Sequence, residues 1–143
     1  MTTTSDRFNL QRFVTAQEPV FDRVCEELRE GEKTTHWMWF VFPQIRGLGS
    51  SPMAQKYAIS SAEEALAYLE HPVLGPRLLE CTRFVNSVQG RSLHQIFGSP
   101  DDMKFRSCMT LFSQVAPDID EFSDALRKYC GGMPDPRTLE KLQ

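Results

Sequence analysis

The sequence predicts an all-α fold: one multihelical domain of about six to eight helices over residues 1–143, with a flexible N-terminus at 1–8. Three observations predict it. Apolar residues recur at spacings of three and four, the segments start on Ser, Asp or Pro and stop on Gly or Pro, and none alternates around an Asn-Gly or Asp-Gly turn. A chain of 143 residues can bury one ordinary core without disulfide or metal staples.

The elements follow in order. In "PVFDRVCEELREG", Phe21, Val24, Cys25 and Leu28 form one stripe, Pro19 suits a first turn, and Gly31 can close the end in the left-handed conformation. Residues 37–42 are all apolar. Their length would suit a strand, but Thr34 and Thr35 can cap, the flanking segments are helical and Pro43 terminates, so a short helix of about two turns is expected. Residues 43–60, rich in Gly, Ser and Pro, make the longest unpatterned stretch, and loops of that length in a compact domain are often functional.

"SSAEEALAYLEHP" opens with Ser61 three residues before Glu64, the spacing of a capping box, and Pro72 stops it. After "LGP", residues 77–89 carry Leu78, Cys81, Val85 and Val88 on one face and end at Gly90. In "SPDDMKFRSCMTLFSQVAP", Ser99 reads as the cap and Pro100 as the first helical residue. Asp101 and Asp102 face the positive end of the dipole, and Phe105, Cys108, Phe112 and Val115 form the core stripe. "DIDEFSDALRKYCGG" repeats the scheme, with Asp118 and Glu121 at capping-box spacing and Gly131 after the last turn, and "PDPRTLEKLQ" adds one short helix.

Composition narrows the function. Net charge is −3 with acids and bases interleaved, so no basic stripe follows a phosphate backbone, and nucleic acid is not an expected partner. "MTTTSDRFNLQRF" lacks the apolar run of a signal peptide, and no window approaches a membrane span, so a cytoplasmic protein without a membrane partner is expected. Cys25, Cys81, Cys108 and Cys130 form no C-x-x-C pair and have no histidine at zinc spacing; core packing is their expected role, and neither metal nor cofactor is expected.

The candidate site centres on "HWMWFVFPQIRG". Trp37 and Trp39 stand two apart and cannot share a helix face, so one of them can wall a cavity while the other packs. The plainer reading, a core-filling element, has the general burial of aromatics behind it. Polar neighbours favour a pocket: His36 on one side, then Gln44, Arg46, Gly47 and Gly49. Glycines let backbone N–H groups approach a ligand, and arginine grips carboxylate or phosphate through two parallel hydrogen bonds. "GLGSS" itself has neither the P-loop lysine nor a full dinucleotide spacing. Asp101, Lys104 and Ser107 succeed each other at intervals of three near a helix start, a pattern that plain helix electrostatics also explains. Of the three histidines, His71 and His94 suit capping or surface roles, and His36 is the candidate acid or base.

"HWMWFVFPQIRGLG", "YAIS", "YLEHPVLGPRL", "IFGSPDDMKFRSCMTLF" and "TLEKL" together resemble the family known as domain of unknown function 1810, some bacterial members of which are labelled calpastatin. The resemblance covers nearly the whole chain and implies a multihelical single domain without an established activity. Calpastatin is a disordered inhibitor, whereas this composition is that of a folded domain, so the label is set aside. The family motifs correspond to His36, Trp37, Trp39, Phe42, Pro43, Gln44, Gly47, Gly49, Tyr57, Gly98, Asp101, Lys104, Ser107 and Thr110.

The expected function is binding, with or without turnover, of a small anionic, nucleotide-like ligand between residues 36–49 and the helix that starts near Pro100. Arg46 and Lys104 would hold the anion, Trp37 or Trp39 would stack, Gln44, Gly47, Gly49 and Ser107 would line the site, and His36 or Asp101 would carry a proton. The alternative is a protein-interaction module docking a partner on the aromatic run. A concave pocket joining Arg46 and Lys104 distinguishes the first from the flat apolar patch of the second.

Overall fold

A computed structural model describes residues 6–143. Among these, ten helices form: α1 (Gln11–Gln17), α2 (Phe21–Glu30), α3 (Met38–Val41), α4 (Pro52–Lys56), α5 (Ala62–Glu70), α6 (Leu74–Ser87), α7 (Leu93–Phe97), α8 (Asp101–Val115), α9 (Asp120–Cys130) and α10 (Pro136–Leu142). The fold is all-α, with more and shorter helices than periodicity suggests.

α8 is the central rod. Phe105, Cys108, Met109, Leu111 and Phe112 are all fully buried, and α5, α7, α9 and α10 pack around it. α6 lies against α2, α5 and α9. One aromatic cluster ties the 37–42 run to this core: Phe42 meets Phe105 edge-on at 5.0 Å and Phe97 at 5.9 Å, while Phe97 stacks on Phe105. Edge-to-face geometry sets the positive ring edge on the negative face, so the run docks in one orientation.

Several boundaries differ from the sequence expectation, each for a local reason. α8 begins at Asp101 with Pro100 in the cap position and no side-chain cap, so Ser99 does not cap it. Ile119, not Asp118, precedes α9, and again no side chain caps. Ser61 does accept from the Glu64 N–H, but the Glu64 carboxylate turns to Ser60 and Arg12, leaving the box half formed. α6 starts at Leu74, three residues before the expected start. Pro76 is in its first turn, where no N–H is needed, and His71 Nδ1 accepts from Val73 and Leu74 N–H. α7 carries a full capping box, Ser92 with Gln95.

The N-terminal segment expected to be flexible divides in two. Residues 1–5 lie outside the described residues. Asp6 accepts the backbone N–H groups of Leu10 and Gln11, and Phe8 packs on the core. The unpatterned 43–60 stretch holds α4 and closes on itself through one parallel bridge, Ile45 with Ile59.

Candidate functional site

The site is built from the turn between α2 and α3. Glu27, on α2, is buried and accepts four hydrogen bonds: Thr34 N–H, Thr35 N–H and Trp37 Nε1–H on Oε1, and Thr35 Oγ1–H on Oε2. Burial alone would raise this carboxyl, but the four donors outweigh it and hold its pKa down at about 2. Thr34 and Thr35 therefore serve Glu27 and do not cap the aromatic run. The run itself makes only a four-residue helix, α3, with Trp37 in the cap position.

The two indoles diverge as their spacing requires. Trp37 is sealed, 1% exposed, with its N–H on Glu27. Trp39 is half-buried and faces outward. Each ring carries a lysine: Lys33 Nζ lies 5.1 Å from the Trp37 centroid and Lys104 Nζ 5.3 Å from the Trp39 centroid. Asp101 joins the two cations, Oδ2 at 2.9 Å from Lys33 Nζ and Oδ1 at 3.5 Å from Lys104 Nζ. Lys33 is nearly buried there, with 7% of its side chain exposed.

Lys33, Trp39, Asp101 and Lys104 line a hollow of about 380 Å³, together with Thr35, His36, Phe97 and Pro100. Beyond the Trp39 and Lys104 wall lies a narrow slot of about 20 Å³, bordered by Gln44, Gly47, Gly49 and Tyr57. That space suits a single water rather than a ligand. Gly47 has φ +99°, and a Cβ there would press on the Lys141 side chain at 3.1 Å; at Gly49 it would meet the Ala54 Cβ at 2.8 Å. Both glycines thus have structural reasons to be glycine.

The structure brings together His36, Trp39, Asp101 and Lys104 in the hollow and places Gln44, Gly47 and Gly49 at the adjoining slot. It does not bring the other three. Trp37 is in the core. Ser107 is buried on another face of α8, donating to Asp135 Oδ2 at 2.8 Å and Met103 O at 3.1 Å. Arg46 is exposed and lines a different hollow with Arg12 and Lys56, so it forms no clamp with Lys104, and the pocket joining those two cations that the sequence led us to expect is not formed. The cation beside Lys104 is Lys33, which sequence reasoning missed because its link to Asp101 spans 68 positions of chain.

One held ammonium group, Lys33, one looser one, Lys104, a carboxylate, an exposed imidazole and an indole face have the chemistry to meet a flat anionic molecule. No cysteine lines the hollow or the slot: Cys25, Cys81 and Cys108 are buried and Cys130 is half-buried elsewhere. Among the described residues, no three His, Cys, Asp or Glu side chains form a metal-holding group, and no helix is long and apolar enough to cross a membrane.

Fold and hollow define a small single-domain helical protein with a lysine- and tryptophan-walled hollow between the α2–α3 turn and the start of α8. The chain belongs to the family described as "Protein of unknown function (DUF1810)", which matches residues 7–142. The crystal structure of a conserved hypothetical protein, Rv1873 from Mycobacterium tuberculosis, is similar, with a TM-score of 0.95 and 60% identity over 96% of this chain and 98% of that one. No curated protein matches the chain.

Proposed function

We propose that this protein binds a small anionic, nucleotide-like ligand in the hollow between residues 34–39 and the start of α8. The observation that carries the reading is the meeting of Trp39 and Lys104, ring and ammonium 5.3 Å apart, in a hollow that Lys33 and His36 also line. A half-buried indole offers a stacking face, and ammonium groups offer point charges to phosphate or carboxylate. Against the two lysines stands one carboxylate, Asp101, so the formal balance of these three groups is positive. An arriving anion can take the Lys104 ammonium, which Asp101 holds only at 3.5 Å, while Lys33 stays on the same carboxylate. Should the ligand be turned over, His36 or Asp101 would carry the proton.

The alternative, a protein partner docked on the aromatic run, has little surface to use. Trp37, Met38, Phe40, Val41 and Phe42 are all buried, which leaves Trp39 alone. The test is a thermal-shift screen with nucleoside monophosphates, sugar phosphates and small carboxylates. A ligand at a hundredfold excess over its Kd raises the midpoint by about 5 °C or more. Lys104→Ala abolishes that shift. Silence across the whole panel, or a shift indifferent to Lys104→Ala and Trp39→Ala, defeats the proposal.

A further inference from the structure

Arg46 has no part in that hollow, yet its own surroundings are unusual for a chain of net charge −3. The bridge between Ile45 and Ile59 is closed by Arg46 N–H on Ile59 O and Ile59 N–H on Gln44 O, both 2.8 Å. Ile45 is buried in the core, and Arg46, which opens the turn after it, is exposed. There it borders a second hollow, of about 370 Å³, with Arg7, Arg12 and Lys56.

The floor of this second hollow is rigid. The Arg12 guanidinium donates to four carbonyl oxygens, of Phe8, Asn9, Lys56 and Ala58, and to Glu64 Oε2 at 3.0 Å. Glu64 is the nearby carboxylate of the hollow, and it is engaged inward: Oε1 accepts the Ser60 N–H and hydroxyl, Oε2 accepts Arg12, and only 3% of its side chain is exposed. Arg7 pairs with Glu63 out in solvent. Arg46 and Lys56 make no ion pair among the described residues, and the Lys56 ammonium rests 5.3 Å from the Tyr57 ring centroid. Two unneutralised flexible cations thus flank a fixed guanidinium whose single anionic partner is locked inward.

We propose that this is a second binding site, specific for a compact phosphate-type polyanion such as the phosphate or diphosphate group of a small molecule. Arg46 supplies a planar fork that grips two oxygens, Lys56 supplies a mobile point charge, and Arg12 contributes field without having to move. The site is independent of the Lys104 hollow, since the two share no lining residue.

The experiment is calorimetric titration of the full chain with inorganic pyrophosphate, at ionic strength held constant with chloride. Lys104→Ala, which disables the first hollow, keeps a pyrophosphate-binding event, and adding Arg46→Ala and Lys56→Ala to it weakens that event on the order of tenfold or more. Both added substitutions fall on exposed side chains, and unchanged circular dichroism confirms that the fold is kept. Absence of heat above that of chloride overturns the proposal. So does binding that the two added substitutions leave in full, or binding that Lys104→Ala alone removes.

Discussion

Replacing Glu27 by Gln removes one charge from the buried carboxylate on which the α2–α3 turn hangs. Its pKa sits at about 2 instead of 4.5, a gap that corresponds to about 3 kcal/mol of folding free energy at neutral pH. Gln keeps one oxygen for Trp37 Nε1–H and the two threonine N–H groups, so part of that stabilisation survives. The expected loss for Glu27→Gln is about 2 kcal/mol at pH 7. The sign with pH follows from a folded pKa below the unfolded one. Stabilisation by the charge is complete above about pH 4.5 and is lost as pH falls toward 2, so by pH 3 roughly three fifths has gone. Urea denaturation followed by tryptophan fluorescence, at pH 7 and pH 3 for both proteins, measures this. The two stabilities should converge at the lower pH. An equal deficit for Glu27→Gln at both pH values would mean that shape, not charge, is what Glu27 contributes, and the electrostatic account of the turn would be refuted.

Other positions give sharper structural tests. A Cβ at Gly75 would lie 2.0 Å from the backbone oxygen of Leu69, so Gly75→Ala must push α5 from α6 and should cost about 2 kcal/mol in chemical denaturation. Asp135 is buried, and although burial favours its neutral form, hydrogen bonds from Thr138 and Ser107 hold its carboxyl below the usual range. Asp135→Ala should therefore free α10 from α8, seen as faster amide hydrogen exchange through Pro136–Leu142, with the wild-type anchor weakening as pH falls through the carboxylate range.

Much of this fold can be read in the chain because helix periodicity and punctuation are local. Gly31 and Gly131 end α2 and α9 in the left-handed conformation that their positions after apolar stripes imply. Caps were less legible. Ser99 and Asp118 have the right chemistry, but a side chain caps only if the backbone before the helix turns it back, and here Pro100 and Ile119 hold the cap positions. "LGP" looks like a break, yet Gly75 and Pro76 open α6, because a first turn tolerates both a missing N–H and a missing side chain.

For the site, pattern located the segment but not the partners. Two tryptophans at a spacing of two had to face different surroundings, and they do. Which one faces the hollow was decided by Glu27, ten positions away, taking the Trp37 N–H. Arg46 and Lys104 looked like one clamp because one stands beside a glycine loop and the other near a helix start, both suited to anions; the fold sets them in different hollows. Ser107 shares a helical side with Lys104 only loosely, and its hydroxyl is taken by Asp135 from the C-terminal segment. All three depend on contacts between distant parts of the chain, which a single sequence does not encode locally.

The most direct measurement of the proposed ligand site uses its two indoles as reporters in one sample. In a ¹⁵N-resolved NMR titration with a nucleoside monophosphate, the Trp39 indole N–H signal should move saturably while that of Trp37, locked on Glu27, stays in place, and Lys104→Ala should leave both unmoved. Two stationary indole signals up to millimolar ligand, or a Trp39 shift that persists in Lys104→Ala, would contradict the account.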